Sequence, residues 1–161
     1  MPCLPFVGRG FTFGAFADII NSMKTSIEIA NLTKKRIDPD LVKKIMRKTV
    51  KLAQVDLSGL NISVVFVSEV EIRKINWKYR QKKKSTDVLS FNLDSGYNKN
   101  RKVLEGELVL CPNVIAKNAR ESKVNFSREL TFVLAHGVLH ILGWRHGKKM
   151  YNLQDEVASN S

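Results

Sequence analysis

The stretch SRELTFVLAHGVLHILGWRH, residues 127 to 146, decides how the rest of the chain must be arranged. Ser127 supplies an N-cap, and from Arg128 to Leu142 apolar residues fall on nearly every side of a helix, so this helix belongs at the buried centre of the domain. The same stretch holds all three histidines of a 161-residue chain. His136 and His140, four positions apart, share a helical face at roughly 6 Å from each other. Gly143 lets the chain leave the helix through a left-handed turn, which brings His146 back toward the same point. Three neutral imidazoles set this way make an open tripod and leave a fourth tetrahedral position for water.

A single histidine on an apolar helix reads as a core residue whose ring is satisfied by a neighbour. Three at H-x3-H-x5-H, with a helix-ending glycine between the second and third, have the ligand type and spacing of a metal site. The spacing is shared with H-E-x-x-H-x-x-G-x-x-H metallopeptidases, so the chemistry turns on the residue after the first histidine. There the peptidases carry a glutamate general base, whereas this chain has Gly137. Gly137 speaks against peptidase chemistry of that type.

With 43% hydrophobic residues in 161, the chain suits one domain with a self-sufficient core. No apolar run approaches the ~20 residues of a membrane span. Two cysteines, Cys3 and Cys111, are poor material for a disulfide framework and fit a reducing, cytoplasmic setting. Cys111 reads as a small buried hydrophobe, with a fourth metal ligand as the alternative, although closing the site would displace its water. Twenty-seven Lys and Arg against 15 Asp and Glu give a net charge of +12, for which a polyanion, nucleic acid first, is the natural partner.

Outward from the histidine helix, strands and helices alternate. Ile27 and Ile29 mark a half-buried strand; Asp38 and Pro39 open a helix with a stripe of Leu41, Val42, Ile45, Met46 and Thr49. Ile62 to Val67 reads as a strand, and Ser68 with Glu71 has capping-box spacing before a helix whose Ile72, Ile75 and Tyr79 share a face. Val88 to Leu93 and Val103 to Cys111 are further strands, separated by a polar loop from Asp94 to Lys102. Pro112 and Asn113 start a helix through about Glu121, and Lys148 to Val157 forms a last surface helix. The expected fold is α/β (α+β), a single domain with a small mixed sheet packed by helices around the central metal-ligand helix. Residues 1–22, which contain four of eight phenylalanines without periodicity, read as an N-terminal extension or an over-called start, with a bound, partly ordered arm as the alternative and the domain occupying 23–161.

A second constellation lies at KYRQKKKSTD, where Lys78, Arg80, Lys82, Lys83 and Lys84 place five cations within seven residues. Such a run is a solvated loop when it stands alone. Here Arg80 ends a helix, where the dipole favours a cation, and its planar fork can grip a phosphate through two hydrogen bonds. Thr86 and Asp87 are turn residues that fix the following strand.

NWKYRQKKKSTDVLSF, Gly106-Glu107-Leu108 and HGVLHILGWRH, in this order and at these separations, resemble the YbeY family of rRNA maturation endoribonucleases from about Met23 to the C-terminus. The resemblance implies a compact α/β fold and one zinc ion per chain on His136, His140 and His146. It also implies a functionally required arginine at Arg80, and single-strand-specific cleavage in rRNA maturation, including the 16S rRNA 3′ end, and in ribosome quality control. Ribosomal RNA and the small ribosomal subunit or its precursors would be the partners. Two positions depart from the family pattern: Ser85 stands where proline is usual, and Arg145 replaces the usual aspartate before the third histidine, which exchanges a carboxylate beside the metal for a cation. On the residues themselves, zinc would polarise a phosphodiester, Arg80 would clamp it, and Lys78 with Lys82 to Lys84 would guide the strand. No carboxylate presents itself as general base. A zinc-stabilised RNA-binding ribosome assembly factor with little intrinsic cleavage stays open beside the nuclease, as does a hydrolase of small substrates, which would not need the lysines.

Overall fold

Alternation along the strands sorts the whole molecule into layers. In the computed structural model, which describes residues 26–54, 59–93 and 104–159, the strand Leu60–Phe66 (β2) buries Leu60, Ile62, Val64 and Phe66 fully on one face and only half-buries the residues between them. It follows β1 (Ser26–Asn31) and α1 (Pro39–Leu52), and precedes α2 (Glu69–Arg80), β3 (Val88–Asn92), β4 (Leu104–Leu110), α3 (Pro112–Glu121), α4 (Phe126–Ile141) and α5 (Lys148–Ser159). The sheet order is β1-β2-β4-β3, with β1, β2 and β4 parallel and the edge strand β3 antiparallel to β4. The expected mixed sheet covered by helices is what forms. The proposed extension over 1–22 and the loop from Asp94 to Lys102 lie outside the described residues.

One face of the sheet, through Leu60, Ile62, Val64, Phe66, Val88, Leu108 and Leu110, packs on α1, α4 and α5. The other, through Val67, Leu89, Phe91, Val109 and Cys111, packs on Ile72, Ile75 and Tyr79 of α2. Helix α4 is the centre of the larger layer, with Leu134, Ala135, Val138, Leu139 and Ile141 all at 0% exposure. A large apolar side chain of that kind contributes about 1.5–3 kcal/mol by leaving water, so α4 anchors the domain.

Two glycines let α4 sit this close to the strands. A Cβ on Gly137 would lie 2.7 Å from Leu108 Cδ2 and 3.3 Å from Ser90 Oγ, and one on Gly106 of β4 would lie 2.6 Å from Ile141 Cγ2. The bare position after the first histidine therefore faces the sheet, and a glutamate side chain would have no space there. At the far end of the seam Asn92 Nδ2 donates to the Ile141 carbonyl at 3.3 Å, tying the end of β3 to the end of α4.

Several boundaries move. α4 starts at Phe126, not Arg128, because Asn125 caps it: its Oδ1 accepts from Arg128 N at 2.8 Å, and Phe126 packs against the core. Ser127 lies inside the first turn, its carbonyl accepting from Thr131 Oγ1. β4 stops at Leu110 because Cys111 is already the cap position of α3. Helix α5 is more than a surface helix, since Met150, Leu153, Gln154, Val157 and Ala158 are buried on α4 and α1.

Candidate metal centre

The end of α4 is built to return the chain onto itself. Gly143, at φ 84°, takes the left-handed conformation expected of it, with Gly143 N–H donating to the His140 carbonyl at 3.0 Å and Trp144 N–H to the Leu139 carbonyl at 2.9 Å. Bonds of this kind across a left-handed glycine satisfy carbonyls left open by the helix end. The turn swings the Trp144 carbonyl over His140 and carries His146 back to the two helical histidines.

The three rings then converge. Nε2 of His136 and Nε2 of His140 lie 3.1 Å apart, and the ring centroids are 4.5 Å (136 to 140), 4.7 Å (140 to 146) and 5.2 Å (136 to 146) apart. One nitrogen from each ring falls in a group whose members are all within 4.8 Å of one another. Tetrahedral zinc with Zn–N near 2.05 Å sets its nitrogens about 3.3 Å apart, so the cluster fits a metal with small closing movements.

Each ring has a partner on its other nitrogen. His140 Nδ1 is 3.1 Å from the Trp144 carbonyl oxygen. A carbonyl only accepts, so Nδ1 carries the proton and Nε2 keeps its lone pair for a metal. His146 Nδ1 is 3.2 Å from the Tyr151 hydroxyl, and His136 Nδ1 is 2.9 Å from Nε2 of Gln154. Tyr151 and Gln154, three residues apart on α5, thus hold two of the three rings. Burial, with the neighbouring imidazole second, pushes the His140 pKa down to about 4; burial and then His146 lower that of His136, and burial lowers that of His146. Neutral rings near pH 7 are the form a metal requires.

Cys111 is no member of this group. It lies on the opposite face of the sheet among Ile72, Leu89, Phe91 and Val109, where burial pushes its thiol pKa up. Arg145 is exposed between Trp144 and His146.

The basic constellation gathers at the end of α2 and in the loop that follows it. Arg80 is the last residue of α2, half-buried, and Gln81 closes the helix in the left-handed region at φ 56°. Lys78, Lys82, Lys83 and Lys84 are exposed. Lys83 Nζ stands 4.7 Å over the ring of Trp77, itself 43% exposed, and Lys78 Nζ 5.2 Å from the ring of Tyr79. Among the described residues no carboxylate pairs with Lys82, Lys83 or Lys84. The loop is pinned by the turn ahead of β3: Asp87 Oδ1 accepts from Val88 N at 2.8 Å, and the Lys84 carbonyl accepts from Asn76 Nδ2 at 2.7 Å.

Helices α4 and α2 pack on different faces of the sheet, yet both are tied to the edge strand β3. Tyr79, beside Arg80, packs edge-on against Phe91 at 5.3 Å, and the next residue, Asn92, bonds the end of α4. The partners of the rings were not found by sequence reasoning. Trp144 acts through its backbone, and the one available signal was Gln154, a polar residue inside the apolar stripe of α5.

Fold and cluster define a small α/β domain with a metal-type three-histidine site at the end of its central helix. The chain belongs to the family described as Endoribonuclease YbeY, whose model matches residues 26–160. Its curated relatives named Endoribonuclease YbeY include one from Buchnera aphidicola subsp. Schizaphis graminum, 35% identical over 131 residues, covering 81% of this chain and 78% of that one. Another, from Thermodesulfovibrio yellowstonii, is 32% identical over 161 residues and covers 86% and 98%. Among solved structures, the solution structure of TM1509 from Thermotoga maritima matches with a TM-score of 0.57 at 28% identity, covering 83% of this chain and 87% of that one. No helix among the described residues is long and apolar enough to cross a membrane.

Proposed function

We propose that the chain is a zinc-dependent endoribonuclease that cleaves single-stranded ribosomal RNA, acting in the cytoplasm on the small ribosomal subunit or its precursors. Its roles would be maturation, including the 16S rRNA 3′ end, and quality control. The family supports cleavage of RNA. The observation that carries the metal is the convergence of three neutral imidazoles, His136, His140 and His146, with partners on their outer nitrogens. When bound, zinc supplies Lewis-acid polarisation of the phosphodiester and lowers the pKa of a water ligand toward ~7.

The chain's own residues do the rest. The three-imidazole donor set brings no negative charge, so the site keeps its attraction for an anionic backbone. Arg80 is the residue that would hold the phosphate through its two-pronged fork, its charge counting most as negative charge develops on the phosphoryl oxygens. Lys78, Lys82, Lys83 and Lys84 would track the neighbouring phosphates, and Trp77, exposed beside Lys83, offers a face on which a base can stack.

One observation favours the second reading, a zinc-stabilised RNA-binding assembly factor: the metal-type group found among the described residues consists of histidines alone. Cleavage of structured rRNA by highly purified protein, with and without chelator and beside His140→Ala, separates the two. The nuclease loses cleavage in both treatments; cleavage that survives both belongs to a contaminant or to chemistry without the tripod.

A further inference from the structure

Helix α5 buries Met150, Leu153, Val157 and Ala158 against the core, and in the same stripe lies Gln154, at 0% exposure. A primary amide in such a place needs a partner for each polar end. Its nitrogen has one, 2.9 Å away at Nδ1 of His136, while its oxygen Oε1 is buried with none. His136 turns its other nitrogen, Nε2, toward His140 at 3.1 Å. A ring that coordinates through Nε2 carries its proton on Nδ1, and that proton needs an acceptor.

A half-turn about the terminal torsion of the glutamine, which is broad and nearly two-fold, exchanges nitrogen for oxygen without moving the rest of the side chain. Oε1 then gains a donor and Nδ1–H an acceptor in one step, and the amide nitrogen takes the place in which Oε1 had no partner. We propose that Gln154 is the positioning residue of His136: its carbonyl accepts the Nδ1–H and so fixes the tautomer that points Nε2 at the metal. The inference rests on the metal reading given above and adds to it. An amide can meet this ring in either tautomer, donating to a bare Nδ1 and accepting from a protonated one. It brings no charge, so the metal keeps its full electrophilicity, whereas a carboxylate at the same position would favour the coordinating tautomer and neutralise part of the metal's charge.

The test uses the full chain and zinc, with the dissociation constant measured by chelator competition for wild type, Gln154→Leu, Gln154→Glu and His136→Ala, all checked for folding by circular dichroism. Gln154→Leu, which keeps the volume and loses the acceptor, is expected to weaken zinc binding by about 10- to 100-fold. Gln154→Glu, which can only accept, is expected to bind zinc at least as tightly as wild type, and nitrogen-15 spectra of the zinc-loaded protein should show a protected Nδ1–H on His136 in wild type and Gln154→Glu but not in Gln154→Leu. A residue that merely filled space would give the reverse order, with leucine harmless and glutamate damaging. Wild-type zinc affinity in Gln154→Leu, or a tenfold loss in Gln154→Glu, overturns the proposal, and the glutamate arm decides alone if the leucine variant does not fold. His136→Ala binding zinc as tightly as wild type would instead overturn the metal reading on which it rests.

Discussion

The histidine cluster at the end of α4 and the basic end of α2 are built on opposite terms. Each histidine has its outer nitrogen occupied, by the Trp144 carbonyl, the Tyr151 hydroxyl or the Gln154 amide, and burial keeps the rings neutral. Lys82, Lys83 and Lys84 stand in water with no carboxylate partner among the described residues, one of them over an exposed tryptophan. A preorganised, uncharged site suits a metal, where an error of an ångström is costly. A solvated, charged surface suits a polyanion, where attraction is long-ranged and screened by salt. Damage to the first should alter chemistry at any RNA concentration, and damage to the second should alter affinity in proportion to salt.

Acid should produce the largest separation. The histidines have folded-state pKa values below their ordinary 6.5, about 4 for His140, so the folded protein takes up protons less readily than the unfolded chain. Their stabilising effect is complete above about pH 6.5 and is lost as pH falls toward 4. Zinc affinity falls only as pH drops through the lowered folded-state values, because ligand nitrogens must be bare. Titration of zinc binding and RNA binding from pH 7 down to about pH 4 should show zinc weakened only toward the acid end, while RNA binding at fixed salt holds or strengthens. Parallel loss of both would make one site of the two.

Packing offers the next lever. In Gly106→Val the new side chain meets Ile141 at the seam that seats α4, with a Cβ only 2.6 Å from Cγ2. Overpacking of this kind costs about 1–3 kcal/mol. Thermal or urea unfolding should show that loss with weaker zinc binding beside it, and an unchanged salt dependence of RNA binding. Unaltered stability would mean that the seam is looser than described.

At the basic end, Arg80→Lys keeps the charge and removes the fork. Turnover at saturating protein should fall by roughly tenfold while RNA affinity changes little. A wild-type single-turnover rate would reduce Arg80 to one more guiding cation. Replacing Lys82, Lys83 and Lys84 together by alanine should leave that rate nearly intact. It should flatten the log–log salt dependence of binding by roughly 0.7–0.9 for each phosphate that the variant no longer neutralises.

What could be read from sequence follows the same division. The tripod was legible because H-x3-H-x5-H with Gly143 is a local pattern, and helix spacing plus one left-handed turn determine where the rings go. The shift of the α4 cap from Ser127 to Asn125 arose because two residues able to cap a helix stand two positions apart in sequence. Gln154, 18 residues beyond His136, was hidden because contact between α4 and α5 is tertiary. Gly137 was legible as a missing base, but the physical reason, the approach of α4 to Leu108 and Ser90, needed the sheet. The basic run was legible as charge, and the tie of the neighbouring Tyr79 to the edge strand β3 was not, since strand order depends on pairings between distant segments.

The most direct test of the central claim is elemental analysis of the purified chain after equilibration with zinc and removal of the excess. About one zinc per chain is expected in wild type, and none retained when His136, His140 or His146 is replaced by alanine. A wild-type protein that holds no transition metal, or a His140→Ala variant that keeps its zinc, would contradict it.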